Sequence, residues 1–185
     1  MGYTPHYGAP YQASRMETMT EAPLRPEIIE LLTEHGIPAD MQPYFPTGLG
    51  ELIPTMGIKF TELSAERAVA TMPVAGNTQP IGLLHGGASV VLAETLGSMA
   101  AGAHGAGESV AVGVDINATH LRPAVSGLVT GTATAIKLGR TLCVHQIEIV
   151  DEAGRAVCSA RITNMLIPRP QESDIQNPVA ETKEA

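Results

Sequence analysis

The chain has 185 residues, of which 44% are apolar and 3% aromatic, and its formal net charge is −8. That length suits one domain whose core rests on aliphatic side chains rather than on rings. The acidic balance argues against nucleic acid and anionic membrane surfaces as partners. Five basic residues of the C-terminal half still leave room for a local patch that binds a phosphorylated ligand: Arg122, Lys137, Arg140, Arg155 and Arg161.

The cysteines and the apolar runs indicate where such a chain works. Cys143 and Cys158 have neither a CxxC spacing nor a histidine at metal-ligand spacing, so we expect reduced thiols in or near the core and no metal. No apolar run reaches the length of a membrane span. The N-terminus lacks the apolar region of a secretory signal. These features predict a cytoplasmic protein.

Residues 1–46 are predicted to form an N-terminal extension of the main domain. Residues 1–23 are rich in Pro, Gly and Tyr without periodicity, which is typical of a disordered or loosely docked arm. Pro26 suits the first position of a short helix that runs through His35. Residues 37–46 contain three prolines and should be irregular. We expect short helices here to cover an edge of the sheet or the mouth of the pocket.

The pattern then changes from helical to strand-like. Thr47 is a candidate N-cap for a second short helix that reaches Met56. Residues 57–63 and 67–74 form two strand-like runs, which the residues between them join as a hairpin.

A long helix is predicted from Gly86 to about Ala103, where small and apolar residues follow one another. Val90, Glu94 and Ser98 recur at i, i+4 and i+8, so they share one face of this helix. Because few positions on its circumference are polar, we expect the helix to be covered on nearly all sides.

Glu94 is the ionisable side chain within this helix. An isolated carboxylate is costly to bury, and a raised pKa with a functional role is the usual explanation. Gly86 and Gly87 begin the helix, and their bare backbone N–H groups could approach a ligand oxygen closely. A carboxylate beside free N–H donors favours acyl transfer or hydrolysis.

Four longer strands are predicted at approximately 109–121, 125–138, 141–150 and 155–167, with alternating side chains and tight turns between them. Consecutive strands joined by tight turns imply an antiparallel sheet. The predicted fold is α+β, a curved antiparallel sheet wrapped around one long central helix. The main domain covers residues 47–167, and residues 168–185 form a disordered acidic tail.

Several sequence motifs resemble those of the hotdog-fold acyl-CoA thioesterases. They are Gln79-Pro80, HGGASVVLAETLGS (85–98), INATHLRPA (116–124) and HQIEIVDEAGR (145–155). The similarity is closest to the PaaI-like and 4-hydroxybenzoyl-CoA thioesterase branch, and within it to the bacterial 1,4-dihydroxy-2-naphthoyl-CoA thioesterases. It covers about residues 48–167 and implies hydrolysis of an aryl or otherwise bulky acyl-CoA, with no metal and no other cofactor.

The resemblance also implies roles for individual residues. Glu94 would be the nucleophile or general base, and the Gly86 N–H would polarise the thioester carbonyl and stabilise the oxyanion. Gln79 and His85 would orient the thioester, and Ser98 would help to place water or substrate.

Further residues would bind the acyl-CoA. His120 and Arg122 would line the acyl or pantetheine side, Gly87 would contact substrate, and Arg140 is a candidate for the CoA phosphates. The family joins the sheets of two subunits and forms the site between them, so Glu94 would face Gly86 and Gln79 of a second copy. Two such dimers commonly form a homotetramer.

Simpler roles compete with these assignments. His85 could only cap the helix, Ser98 could bond back to the i−4 carbonyl, and Gln79 could be a solvated loop residue. Arg122 and Arg140 could be solvated charges, and His120 could have no contact with substrate. We expect the remaining central histidines to be structural or exposed: His35, His104 and His145.

Two other functions remain as alternatives. A non-catalytic domain that binds or senses acyl-CoA would share the fold, although such domains lose the helix carboxylate that Glu94 supplies. Asp115, Asn117 and His120 echo a motif of hydratases with the same fold. In a strand, however, Asp115 and His120 would point to opposite faces, which argues against an enoyl-CoA hydratase.

Overall fold

The computed structural model describes residues 23–169, which form a curved antiparallel sheet around one long helix. This is the hotdog architecture that the sequence predicts. Nearly all of the predicted disordered arm (residues 1–23) and most of the predicted disordered tail (residues 168–185) lie outside the described residues. Pro168, however, ends the last strand, and Arg169 donates hydrogen bonds to the Gly107 and Tyr44 carbonyls. Across residues 23–169, no helix combines the length and the apolar character that a bilayer crossing requires.

The regular elements lie close to their predicted positions. The helices of the described chain are α1 (Pro26–Glu34), α2 (Leu52–Thr55) and α3 (Gly86–His104), with a 3₁₀ turn at Gln42–Tyr44. The strands are β1 (Lys59–Leu63), β2 (Arg67–Pro73), β3 (Ser109–His120), β4 (Leu128–Leu138), β5 (Leu142–Asp151) and β6 (Ala156–Pro168).

The strands form one sheet in the order β1-β2-β4-β5-β6-β3, and all neighbours are antiparallel. β1 and β2 are the predicted hairpin, and the Ser64 N–H donates to the Arg67 carbonyl in its turn at 2.8 Å. β3 is twelve residues long and lies at an edge of the sheet. Within the described chain, its outer side therefore has no strand to pair with.

Close contact between α3 and the sheet depends on small residues. A side chain at Gly97 would collide with Ile162 of β6, and one at Gly131 of β4 would collide with Leu96. Leu92 and Leu96 of α3 are fully buried in this interface. The bare backbone at these two glycines thus lets the helix lie directly on the strands.

The opposite face of α3 is not covered. Val91, Thr95 and Met99 are only half-buried, and Glu94 is exposed. The expectation that the helix is covered on nearly all sides is therefore wrong for one chain. The reason is geometric, because a single curved sheet reaches only one side of a helix.

The described part of the N-terminal extension packs on the same core as the main domain. Ile28 and Leu32 of α1 are buried in that core, and the His35 carbonyl accepts from the Phe60 N–H of β1 at 2.8 Å. The segment covers the β1 edge of the sheet, as expected. The assignment of residue 47 as the domain boundary stays a prediction.

The start of α2 differs from its prediction. The N-cap position is Glu51 rather than Thr47, so the predicted cap is wrong. Gly48 and Gly50 adopt φ values of 85° and 67°. That left-handed backbone cannot be part of an α-helix, which delays the helix until residue 52.

Two of the three histidines predicted to be structural or exposed are buried and hydrogen-bonded to backbone. His35 Nδ1 lies 2.7 Å from the Ile58 carbonyl, and His145 Nε2 lies 2.9 Å from the Ala65 carbonyl. His104 is the last residue of α3 and is half-buried. Cys143 and Cys158 are buried free thiols, as the sequence predicts.

His145 should make stability depend on pH. Burial lowers the pKa of its imidazole, the Ala65 carbonyl opposes that shift, and His104 adds to it. Because the unfolded chain takes up a proton near the ordinary pKa of about 6.5 and the folded chain resists it, stability is lost as pH falls below that value. Urea unfolding at pH 7.5 and 5.5 should show a larger loss for wild type than for His145→Gln. Equal losses would contradict this account.

Candidate functional site

A cleft of about 330 Å³ lies at the N-terminal end of α3. Four of the predicted site residues line it: Gln79, Gly86, His120 and Arg122. The Leu84 N–H donates to the Ala124 carbonyl at 2.8 Å and so joins the loop before α3 to the loop after β3. Residues far apart in the sequence are thereby held around one opening.

The first turn of α3 presents one backbone donor to this cleft. His85 is the N-cap, and its Nδ1 accepts from the Gly87 N–H at 2.8 Å. The expectation that both glycines offer an N–H to a ligand is therefore wrong for Gly87, whose donor is already used. The Gly86 N–H has no hydrogen-bond partner among residues 23–169. It lies at the positive end of the helix dipole, where an anionic oxygen is stabilised.

Only a glycine fits at position 86 without rearrangement. A Cβ built there would lie 2.8 Å from Nε2 of His120, so the His120 ring packs directly over the Gly86 backbone. His120 is thus beside the free donor, and its contact with the acyl or pantetheine part of the substrate stays a prediction. His85 caps the helix, which was the simpler of the two roles considered for it, and it directly precedes Gly86 in the first turn of α3.

Glu94 lines a second cleft, of about 390 Å³, on the uncovered face of α3. Its Oε1 is 3.0 Å from the position that a Cβ on Gly113 of β3 would take. The expectation of a buried carboxylate is wrong within one chain, since Glu94 is exposed. Leu52 and Ile53 of α2 line this cleft with it.

Ser98 contacts a residue that the sequence did not single out. Its hydroxyl donates to Oδ1 of Asn164 at 3.0 Å and does not bond back to the Glu94 carbonyl. Asn164 is fully buried in β6, in register with the inward-facing apolar residues Ala160 and Ile162. A polar residue at an apolar, inward position of a strand was the signal that could have identified it.

Glu94 and Gly86 do not face one centre within a single chain. They are eight residues apart on α3, which corresponds to about 12 Å along the helix axis. A carbonyl carbon attacked at Glu94 therefore cannot have its oxygen at the Gly86 N–H of the same chain. The Gly86 donor and the Glu94 carboxylate therefore open into separate clefts of the chain.

Arg140 lies in the exposed turn between β4 and β5, away from the first cleft. Leu142, two residues after Arg140, pairs with Met165 of β6. Met165 in turn pairs with Val112 near the start of β3. His120 is eight residues further along β3, a distance of roughly 25 Å. Arg140 and the pair of His120 and Arg122 therefore lie at opposite ends of β3.

The strand register confirms that Asp115 and His120 point to opposite faces. Pairing between β3 and β6 is continuous from Asp115↔Thr163 to His120↔Cys158, so an odd spacing separates the two side chains. His120 lies over Gly86, on the helix side, and Asp115 does not share that cleft. The hydratase constellation is not assembled here.

The thioesterase superfamily model matches residues 81–158, which include α3 and β3. The 1,4-dihydroxy-2-naphthoyl-CoA hydrolase of Escherichia coli is 46% identical over 121 residues, which cover 65% of this chain and 89% of that protein. The proofreading thioesterase of Cronobacter turicensis is 43% identical over 122 residues, which cover 65% of this chain and 89% of that protein. A mutant thioesterase from Pseudomonas aeruginosa superposes with a TM-score of 0.61 at 43% identity, over 65% of this chain and 88% of that chain.

Proposed function

Because the chain belongs to the thioesterase superfamily and is a thioester hydrolase, we propose that it hydrolyses acyl-CoA to a carboxylic acid and free CoA at a site shared by two copies. The observation that supports this proposal is that two functional groups of α3 open into different clefts. Its free Gly86 N–H opens into one cleft, and its Glu94 carboxylate, about 12 Å away, opens into another. Two copies can supply both groups to one thioester.

The exposed edge of β3 supports this pairing. The strand has an unpaired ladder edge within the described chain, and Val114 at its middle is 58% exposed. Unprotected edge strands associate with a second strand. Gly113, beside the Glu94 carboxylate, lies in the first half of β3, so an antiparallel pair about a two-fold axis brings it toward the end of the partner's β3. That end lies beside His120 and Gly86.

The chemistry follows from this arrangement. The thioester carbonyl oxygen accepts from the Gly86 N–H of the second copy, which stabilises the oxyanion that forms on attack. If Glu94 attacks the carbonyl carbon, CoA thiolate leaves and water then hydrolyses the acyl–Glu94 anhydride to the carboxylic acid and free Glu94. If Glu94 instead removes a proton from an attacking water, the tetrahedral intermediate expels CoA thiolate directly. In both routes the thiolate is then protonated. Gln79 and His85 orient the thioester. His120, Arg122, Gly87 and, from the opposite end of β3, Arg140 contact the rest of the acyl-CoA.

The proposal extends to the substrate and the assembly. An aryl or otherwise bulky acyl group is the expected substrate, since one relative is named a 1,4-dihydroxy-2-naphthoyl-CoA hydrolase. We expect a homodimer, two of which associate as a homotetramer. The two buried free thiols fit a reducing compartment such as the cytoplasm.

Release of free thiol from a panel of acyl-CoAs tests the activity. The panel spans aromatic, short-chain and long-chain thioesters, and wild type should turn over the aromatic class with the highest kcat/KM. Sedimentation at the assay concentration should give a dimer or a larger even-numbered assembly. A protein that binds these thioesters without releasing thiol would be an acyl-CoA-binding domain and would contradict the proposal.

Asn164 should act on catalysis through Ser98. Because the Ser98 proton is directed to Asn164, the Ser98 oxygen keeps its lone pairs for a water or substrate donor near Glu94. Ser98→Ala and Asn164→Leu should each lower kcat about 10-fold, within the range for one lost hydrogen bond. The double variant should fall no further. Multiplied losses, with folded proteins by circular dichroism, would show that Asn164 does not act through Ser98.

A further inference from the structure

A third cleft lies next to the one that contains Glu94. It has a volume of about 270 Å³ and is bounded by residues 44–48 on one side and by α3 and the start of β3 on the other. Ser98 and Met99 line both clefts. The two openings are therefore neighbours along α3, and their combined volume falls within the range of about 300–1,000 Å³ that is typical of small-molecule sites.

The direction of a bound acyl group follows from the proposed function, on which this inference rests. A thioester carbon at Glu94 has its oxygen at the second copy's Gly86, and Arg122 in that copy's cleft is the cation placed to bind the CoA moiety on that side. The acyl group must leave the carbonyl in the other direction. Along α3, that direction leads past Ser98 and Met99 to residues 44–48.

The wall formed by residues 44–48 contains most of the aromatic side chains of the described chain. Residues 23–169 hold three aromatic residues, namely Tyr44, Phe45 and Phe60. Phe60 is buried in the core, whereas Tyr44 and Phe45 are half-buried and line this cleft. In a chain with so few rings, two adjacent rings at one cleft point to a ligand with an aromatic face.

This wall is held in place by hydrogen bonds from distant parts of the chain. Arg169 donates from Nη2 to the Tyr44 carbonyl at 3.1 Å and from Nε to the Gly107 carbonyl at 3.0 Å. Buried Gln42 donates from Nε2 to the Ile37 carbonyl at 3.2 Å. The wall therefore has a fixed position against α3 rather than that of a free loop.

We propose that Tyr44 and Phe45 are specificity-determining residues that select an aryl over an alkyl acyl group by packing on its ring. These residues lie outside the part of the chain that the superfamily model matches, which begins at residue 81. Glu94, Gly86 and Ser98 thus come from the part of the chain that the superfamily model matches, and the far wall of the acyl site comes from the N-terminal segment.

The test compares 2-naphthoyl-CoA with octanoyl-CoA for the double variant Tyr44→Leu/Phe45→Leu. Leucine keeps the wall apolar and removes the rings. We expect kcat/KM to fall about 10-fold for the naphthoyl substrate, as for one or two lost ring contacts, and to change less than about 2-fold for the octanoyl substrate. Ile29→Ala, on the exposed face of α1, is the matched control and should change neither value. Equal losses for both substrates, or no loss, would overturn the inference.

Binding measurements keep this test separate from the proposed function. Phenacyl-CoA and 2-oxononyl-CoA are thioethers that cannot be hydrolysed, and wild type should bind the aryl probe more tightly. If no acyl-CoA is hydrolysed but this preference exists and disappears in the double variant, the specificity inference stands and the hydrolase proposal fails. No aryl preference in wild type would overturn the inference. If the double variant does not fold, Tyr44→Phe/Phe45→Tyr should keep the preference, and its loss there would overturn the inference.

Discussion

Glu94→Gln should lower kcat at least about 10²-fold, as expected when a general base or nucleophile loses its carboxylate. The substitution keeps the size of the side chain, so the amide can still lie over Gly113. What it removes is the negative charge and the ability to accept a proton or attack a carbonyl. Free thiol release from an aryl-CoA, measured at saturating substrate, checks this prediction.

The effect should be confined to the chemical step. Binding of phenacyl-CoA should change less than about 3-fold, because an uncharged thioether carbonyl does not require the carboxylate. Glu148→Gln is the matched control, since Glu148 is an exposed carboxylate on β5 that lines none of the three clefts. Wild-type turnover by the Glu94→Gln variant would contradict the assignment of Glu94 as nucleophile or general base, but it would not contradict the fold.

Gly86→Pro should lower kcat about 10²- to 10³-fold, the effect expected for loss of one oxyanion donor. Proline lacks the backbone N–H, yet it is favoured at the first position of a helix, which Gly86 occupies. His85 has φ −66° and ψ 131°, the extended conformation that a residue before proline prefers. The substitution therefore removes the donor while the backbone remains compatible with the helix start.

The Gly86→Ala variant distinguishes the effect of losing the N–H donor from the effect of crowding the space around residue 86. Alanine retains the N–H but places a Cβ where Nε2 of His120 would be 2.8 Å away, as proline also does. We expect Gly86→Ala to retain at least about 10-fold more activity than Gly86→Pro, since only the latter loses the oxyanion donor. Equal activities would show that crowding of His120, rather than the lost N–H, causes the defect.

Much of the fold could be predicted because local patterns and tertiary packing agree. The small and apolar run after His85 indicated the long helix α3, and the four strand-like runs that follow correspond to β3 to β6, although each of their pairings contains one register shift. The prediction of Thr47 as an N-cap was wrong because Gly48 and Gly50 have a left-handed backbone. Glycine permits this conformation but does not require it, so the sequence alone does not reveal it. A turn conformation of this kind depends on what the loop packs against.

The sequence indicated candidate site residues, whose roles stay predictions, but not how one chain arranges them. Gln79, Gly86, His120 and Arg122 come together as expected, because the helix start and the end of β3 meet at one side of the sheet. The exposure of Glu94 could not be deduced, since a pattern of apolar residues does not distinguish burial by the same chain from burial by another copy.

Contacts between residues far apart in the chain also could not be predicted from the sequence. Asn164 meets Ser98 across 66 positions, and Arg169 meets Tyr44 across 125 positions. No local periodicity encodes such pairs. They follow from the sheet register and from the course of the N-terminal segment over α3.

The measurement that tests the shared site most directly is the activity of mixed dimers of Glu94→Gln and Gly86→Pro, refolded together at equal amounts. If each site takes Glu94 from one copy and Gly86 from the other, every mixed dimer has one intact site, and thiol release should recover to about a quarter of the wild-type rate for random two-fold pairing. If both groups acted within one chain, every site would carry a defect. Activity no higher than the average of the two separate variants would contradict the account.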